Sequence, residues 1–169
     1  MKIALAAVLL ALGTSVGTGA GAQTSSGLAG LDTSGPIDVA SDSGTLASRD
    51  GRAVLNGNVR VVQGNLKLTS DRATITYLTV NGNPQIQRLD ASGGVTVTAP
   101  TETARSQFAI YDLNKRIITM LGGVVLTRAG GNQVRSQRLV YDLTSGRANV
   151  DGGAQGGRVS GRFTVPDRK

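Results

Sequence analysis

A strand-turn-strand pattern is written four times between Ser41 and Gly153, and no other feature of this 169-residue chain restricts its fold as tightly. Each copy opens on a small polar pair: Ser41-Asp42, Ser70-Asp71, Ser106-Gln107 and Ser136-Gln137. Leu46, Ile75, Tyr111 and Tyr141 recur at one fixed offset after those serines. Each copy then turns and closes in alternating apolar residues before a glycine, as in Ala53-x-Leu55-x-Gly57, Leu89-x-Ala91-x-Gly93, Ile118-x-Met120-x-Gly122 and Ala148-x-Val150-x-Gly152. The first three glycines are followed by Val59-x-Val61, Val95-x-Val97 and Val124-x-Leu126. A period of about 30 residues with strict alternation inside it predicts β-units packed side by side. One such unit leaves its apolar face uncovered, so the copies must cover one another.

Successive side chains of a strand point to opposite faces, so the alternation also sorts residues by side. Ala73, Ile75 and Tyr77 share a face opposite Arg72, Thr74 and Thr76. Ala109, Tyr111 and Leu113 repeat the pattern, as do Leu139, Tyr141 and Leu143, while Val59 and Val61 oppose Asn58, Arg60 and Val62. With Ile37, Val39, Leu46, Leu68, Leu89, Val95, Val97, Met120, Val124 and Leu126, these residues are candidates for a single apolar lining. Arg and Lys fall mainly on the other face or in turns. The tyrosines fit two roles equally: core packing with the hydroxyl bonded at the rim, or the wall of a ligand cavity.

Turn residues punctuate the strands throughout. Asp50-Gly51 and Asn56-Gly57 fit hairpin chemistry, and Asn81-Gly82-Asn83-Pro84 reads as the longest excursion. Gly93-Gly94, Gly122-Gly123, Gly130-Gly131 and Ser145-Gly146 mark further turns or bulges. Sustained helical spacing is absent beyond the N-terminal segment, so the expected class is all-β.

The N-terminal segment Met1–Ala22 reads as a secretory signal: Lys2 ahead of apolar Ile3–Leu12, then Ala20-Gly21-Ala22 as an A-x-A-like cleavage site before Gln23. That apolar run is too short to span a bilayer, which needs ~20 residues. Residues 23–35 are rich in Ser, Gly and Thr and predict a disordered leader. Pro36 opens the domain, expected to run over 36–155, at a first or edge strand where its missing donor costs no ladder bond. Residues 156–169, with Arg158, Arg162, Arg168 and Lys169, predict a last basic strand or a tail.

The chain has no cysteine, so no disulfide holds this exported fold together. Absence of His and Cys also removes Ser-His-Asp and Cys-His catalysis and the usual zinc sites. The glycine pairs are not followed by Gly-Lys-Ser/Thr, so they read as turns rather than phosphate loops. Asp38, Asp42, Asp50 and Asp71 stand in turn-like contexts where Asp caps its own backbone. Asp112 and Asp142, each directly after a repeat tyrosine, are expected to start hairpin turns. No cofactor motif is present, and a non-enzymatic role follows. The formal net charge of +7 favours anionic partners such as lipid headgroups or phosphorylated glycans. Nucleic acid is disfavoured by export and by having three Tyr, two Phe and no Trp for base stacking.

Pro36-Ile37-Asp38-Val39-Ala40-Ser41-Asp42, then Leu46, then Gly57 through Leu68 with Asp71, resembles the lipopolysaccharide-transport periplasmic LptA family, also called OstA-like N-terminal domains. The similarity continues through Ala104-x-Ser106-Gln107-x-x-x-Tyr111-x-Leu113 and Gly122-Gly123, and so covers roughly Pro36 to Gly153. It implies an open, slightly twisted antiparallel β-jellyroll, V-shaped in section, whose apolar interior holds lipid A acyl chains. It implies a periplasmic bridge between an inner-membrane LptC-like protein and an outer-membrane LptD-like protein, joined edge strand to edge strand, with copies able to stack head to tail. By the same match, Thr33, Ile37, Tyr111 and Leu113 fall at the family's lipid-facing positions. The glycine-rich C-terminal part departs from the family pattern.

The expectation is therefore a lipopolysaccharide carrier without catalytic or metal residues. A membrane-anchored LptC-like component is an alternative with the same architecture. A structural β-solenoid, its interior filled by its own side chains, is a rival of another class.

Overall fold

A crease running across every long strand is the main architectural feature of the computed structural model, which describes residues 31, 33, 35–153 and 157–164. The expected signal segment and most of the leader lie outside the described residues. The chain forms β1 (Asp38–Ala40), β2 (Ser43–Ala47), β3 (Arg52–Gln63), β4 (Leu66–Val80), β5 (Asn83–Ala99), β6 (Glu102–Asp112), β7 (Ile117–Arg128), β8 (Gln133–Asp142), β9 (Arg147–Asp151) and β10 (Ser160–Arg162). All pairings are antiparallel, in the order β1-β3-β4-β5-β6-β7-β8-β10, with β2 also on β3 and β9 also on β8. The fold is all-β: one open antiparallel sheet. β1 with β2 forms one flank, and β9 with β10 the other.

The repeat seen in the sequence is the crease. Register slips between Asn56 and Val59, Thr69 and Arg72, Ser92 and Val95, Arg105 and Phe108, and Leu121 and Val124. Each repeat is thus a hairpin whose first strand carries the Ser-Asp or Ser-Gln pair and whose second carries the glycine. The Ser41, Ser70 and Ser106 hydroxyls each donate to the carbonyl two residues on, at 3.0, 3.0 and 2.8 Å. Bulges bend a strand and increase its twist. Aligned across the sheet, they fold it into two facing halves with the apolar residues between them.

Gly93 shows why the sequence needs glycine there. Its φ is +81°, and a Cβ would lie 2.5 Å from Asp71 Oδ2. The Asp of one strand therefore occupies the space that a side chain on the next would need. Asp42 stands against Gly57 in the same way, and Asn58, also left-handed at φ 45°, donates from Nδ2 to Asp42 Oδ2 at 2.7 Å.

Two turn expectations are corrected. Asn56-Gly57 does not reverse the chain: it lies inside β3, where left-handed residues make the crease rather than a hairpin. Asn81–Pro84 is not a long excursion either. Val80 pairs directly with Asn83 and Thr79 with Pro84, so Asn81-Gly82 is a tight two-residue turn at the tip of the longest hairpin. Positive φ at both residues, 51° and 80°, is the primed-turn geometry that Asn-Gly favours. Asp112 and Asp142 do open hairpin turns: Asp112 Oδ1 accepts the Lys115 N–H at 3.0 Å, and Asp142 Oδ1 accepts those of Thr144 at 2.8 Å and Ser145 at 3.0 Å.

Candidate functional site: an apolar trough with one open end

The two half-sheets enclose a continuous apolar interior. Val59, Val61, Leu68, Val95, Val97, Val124 and Leu126 line it from one half, and Ile75, Leu89, Tyr111, Met120 and Tyr141 from the other. All are buried, Tyr141 and Val95 completely. Behind Tyr111 the two halves meet, and the void bounded by Leu66, Leu89, Tyr111 and Ile118 holds only about 10 Å³. Over most of its length the interior is thus filled by its own side chains.

At the N-terminal end the halves diverge. A cavity of about 870 Å³ opens between them, walled by Ile37, Leu46, Ala53, Ile75, Tyr77, Ile86 and Leu113, with Thr33, Gly35 and Gln63 on one side. Leu46 is 66% exposed although it faces this apolar wall. That exposure follows from its place on the flanking strand β2, which among the described residues pairs with β3 alone. Val39 is likewise exposed on β1. It pairs with buried Val61, so its side chain faces inward along the open flank.

The alternation therefore sorted faces correctly but did not separate wall from core. Of the lining candidates, Ile37, Leu46, Ile75 and Leu113 border the cavity, together with Thr33. Val39 sits on the rim, and the remaining candidates pack as core. Tyr77, placed on the apolar face with Ala73 and Ile75, walls the cavity too, whereas Ile86, Pro84 and Gln63 wall it and were not among the candidates. Gln63 continues the Val59-Val61 alternation, so the same period-two signal that placed Tyr77 could have found it.

A buried polar cluster stands where the open cavity meets the packed core. The Tyr111 hydroxyl donates to Gln63 Oε1 at 2.9 Å across the two half-sheets. Gln63 Nε2 donates in turn to the carbonyls of Thr33 at 2.7 Å and Gly35 at 3.2 Å. Burial raises the Tyr111 phenol above its ordinary pKa, a hydrogen bond with Thr33 and the charge of Arg116 opposing it more weakly. Thr33 is buried and Leu31 packs against the core, so the end of the expected disordered leader is held in place.

Residues 38–147 match the family described as LptA/(LptD N-terminal domain) LPS transport protein. The chain belongs to this family. An uncharacterized protein of Rhizobium meliloti (strain 1021) is 30% identical over 177 residues, covering 99% of this chain and 94% of that one. The crystal structure of LptH from Pseudomonas aeruginosa, described as the LptA-homologous periplasmic component of the lipopolysaccharide transport device, superposes with a TM-score of 0.69. That match has 21% identity and covers 79% of this chain and 99% of LptH. Membership in the LPS transport family gives the protein a part in lipopolysaccharide transport. Among the described residues no helix is long and apolar enough to cross a membrane.

Proposed function

We infer that the protein is a periplasmic carrier that takes lipopolysaccharide by its acyl chains, seating them first in the cavity between Ile37, Leu46, Ile75, Ile86 and Leu113. The observation that carries this reading is the open apolar cavity of about 870 Å³, continuous with a greasy interior. Its size falls in the ~300–1,000 Å³ range of small-molecule sites. Each methylene moved from water into it gains ~0.8 kcal/mol, so even part of one acyl chain is held firmly. Deeper passage requires the half-sheets to part along the row from Val59 to Tyr141. Neither half carries a nucleotide motif, so the drive for transfer comes from partners.

The flanks supply the means of joining those partners. β1, β2, β9 and β10 are short, and among the described residues no further strand pairs with their outer side. Strand addition to such edges fits an LptC-like protein at the inner membrane, an LptD-like protein at the outer membrane, or a second copy head to tail.

A photo-crosslinking residue at Leu46 or Leu113 is expected to capture lipopolysaccharide in cells, while one at outward Arg72 is not. Equal capture at all three positions would sink the assignment. Depletion of the protein should leave newly made lipopolysaccharide short of the outer surface. Lipid extraction from purified protein separates this reading from a closed β-scaffold, which would yield no lipid.

A further inference from the structure

The outer faces of the two half-sheets differ in charge, and only the pairing register reveals it. Partners in antiparallel register project to the same face. On the half made by β1, the second part of β3, the first part of β4 and their neighbours, Arg60 lies in one row with Arg105 and Arg135. Lys67 and Arg162 lie in the adjoining row. All five are exposed. Between them the rows carry Thr69, Thr96, Thr98 and Thr103. Asp38, at the β1 edge, is the one carboxylate in these rows, and Asp42 and Asp71 stand off them at the crease.

The other half is nearer to balance: its outer rows set Arg52, Arg72, Arg88, Arg138 and Arg147 beside Asp90, Asp112, Asp142 and Asp151. Its outer face holds Arg88 against Asp90 at 2.6 Å, Lys115 against Asp112 at 3.3 Å and Arg138 against Asp151 at 3.7 Å. The fourth ion pair among the described residues, Arg128 with Glu102, engages a buried carboxylate. None of the four involves Arg60, Lys67, Arg105, Arg135 or Arg162. These five like charges, with hydroxyls between them and Asp38 at the edge, have no ion-pair partner among the described residues. At ~4.8 Å per strand, Arg60 and Arg105 stand ~14 Å apart and Arg105 and Arg135 ~10 Å apart, so the cations spread over a broad face rather than converging on a point. A polar recess of about 230 Å³ between Arg135, Ser160 and Arg162 gives that face one seat of phosphate size.

We propose that this face docks on an anionic phospholipid bilayer, the arginines and Lys67 meeting lipid phosphates while the trough opening stays free. An extended array of cations fits a plane of phosphates better than it fits one compact anion. No aromatic side chain stands in these rows to stack on nucleobases, and a polyanionic strand would be better served by a groove. Each basic residue near an anionic surface strengthens attachment, and the effect falls off within a Debye length, ~10 Å at 0.1 M salt.

The test is co-sedimentation of the exported protein with vesicles of phosphatidylglycerol in phosphatidylcholine, beside pure phosphatidylcholine vesicles. Two triple variants remove the same charge from opposite faces: Arg60→Gln/Arg105→Gln/Arg135→Gln, and Arg52→Gln/Arg72→Gln/Arg147→Gln. Both exchange exposed side chains, and unchanged thermal melting confirms their folding. The expected result is binding to anionic vesicles alone, weakened by salt. The first variant should weaken it on the order of a hundredfold and the second far less. Equal loss in both variants would mean that net charge acts without a docking face, and would overturn the proposal. So would equal binding to pure phosphatidylcholine, or abolition by inorganic phosphate at the lipid-phosphate concentration, which would make the recess a site for free anion. Because the trough faces inward, acyl-chain capture at Leu46 is read separately and does not move with any of these outcomes.

Discussion

The Tyr111 hydroxyl donates to Gln63 Oε1 at 2.9 Å, and this one bond joins the two half-sheets where the open cavity gives way to the packed core. Gln63 lies on both sides of that boundary, because it walls the cavity and also touches the small void behind it. Its amide nitrogen holds the carbonyls of Thr33 and Gly35. A single polar side chain thereby couples the depth of the cavity to the path of the chain entering it.

Tyr111→Phe should leave Gln63 Oε1 buried without its donor. Leaving a buried acceptor unmade costs ~1–3 kcal/mol, so a loss near the lower end of that range is expected in urea unfolding. Gln63→Leu should cost a similar amount and also free the Thr33–Gly35 backbone. Amide exchange at Gly35 and Ile37 is the discriminating measurement: it should rise in Gln63→Leu and stay near wild type in Tyr111→Phe. Equal exchange in the two variants would break the proposed coupling.

The crease makes a sharp prediction about neighbouring glycines. Gly93 and Gly94 both have positive φ, at 81° and 58°, but a Cβ on Gly94 meets no heavy atom within 4 Å, whereas one on Gly93 collides with the Asp71 side chain. Gly94→Ala should therefore cost only the left-handed backbone penalty, ~1 kcal/mol. Gly93→Ala should cost ~2 kcal/mol more, since Asp71 must also leave its place. Comparable melting temperatures for the two variants would contradict this account of the crease.

Much of this was legible because a strand has only two faces. Val59-x-Val61 and Leu89-x-Ala91 need no long-range information to be placed inward, and the recurring glycines mark the crease, where Asn56-Gly57 bends β3 rather than reversing it. What the alternation could not supply was the distance between the two halves. Leu46 and Leu68 have the same pattern on their strands, yet one is exposed on a cavity wall and the other is 3% exposed in the core. That difference depends on partners far away in sequence. The charge of the outer faces was hidden for the same reason: Arg60 and Arg105 fall in one row only once four strands, β3 to β6, are in register.

The division between wall and core predicts that two leucines will fail in different ways. Leu46→Asp places a charge on the apolar wall but alters a side chain already 66% exposed, so unfolding free energy should change by less than ~0.5 kcal/mol. Lipid capture at Leu113 in the same protein should fall at least tenfold. Leu89→Ala removes a side chain that is 1% exposed and should cost ~2–5 kcal/mol through transfer and cavity terms. Should Leu46→Asp bind lipid as well as wild type, acyl chains do not enter at this end.

The two aspartate turns give the fold a defined acid sensitivity. The Lys115 N–H, with its ammonium, holds the Asp112 carboxyl below the usual carboxylate range, and the N–H groups of Ser145 and Thr144 do the same for Asp142. A carboxyl with a lowered folded-state pKa binds fewer protons folded than unfolded. Its contribution is therefore fully present above the unfolded value, ~3.9, and is lost as pH falls through the lower folded value. Asp142→Asn keeps an acceptor for the turn but removes the charge. Its urea midpoint should lie below that of wild type by a constant amount from pH 7 down to about 4, and the gap should close on further acidification. Asp112→Asn should behave alike, because its turn has the same construction. A gap that persisted undiminished at pH 2 would show that the turn uses the shape of the aspartate rather than its charge.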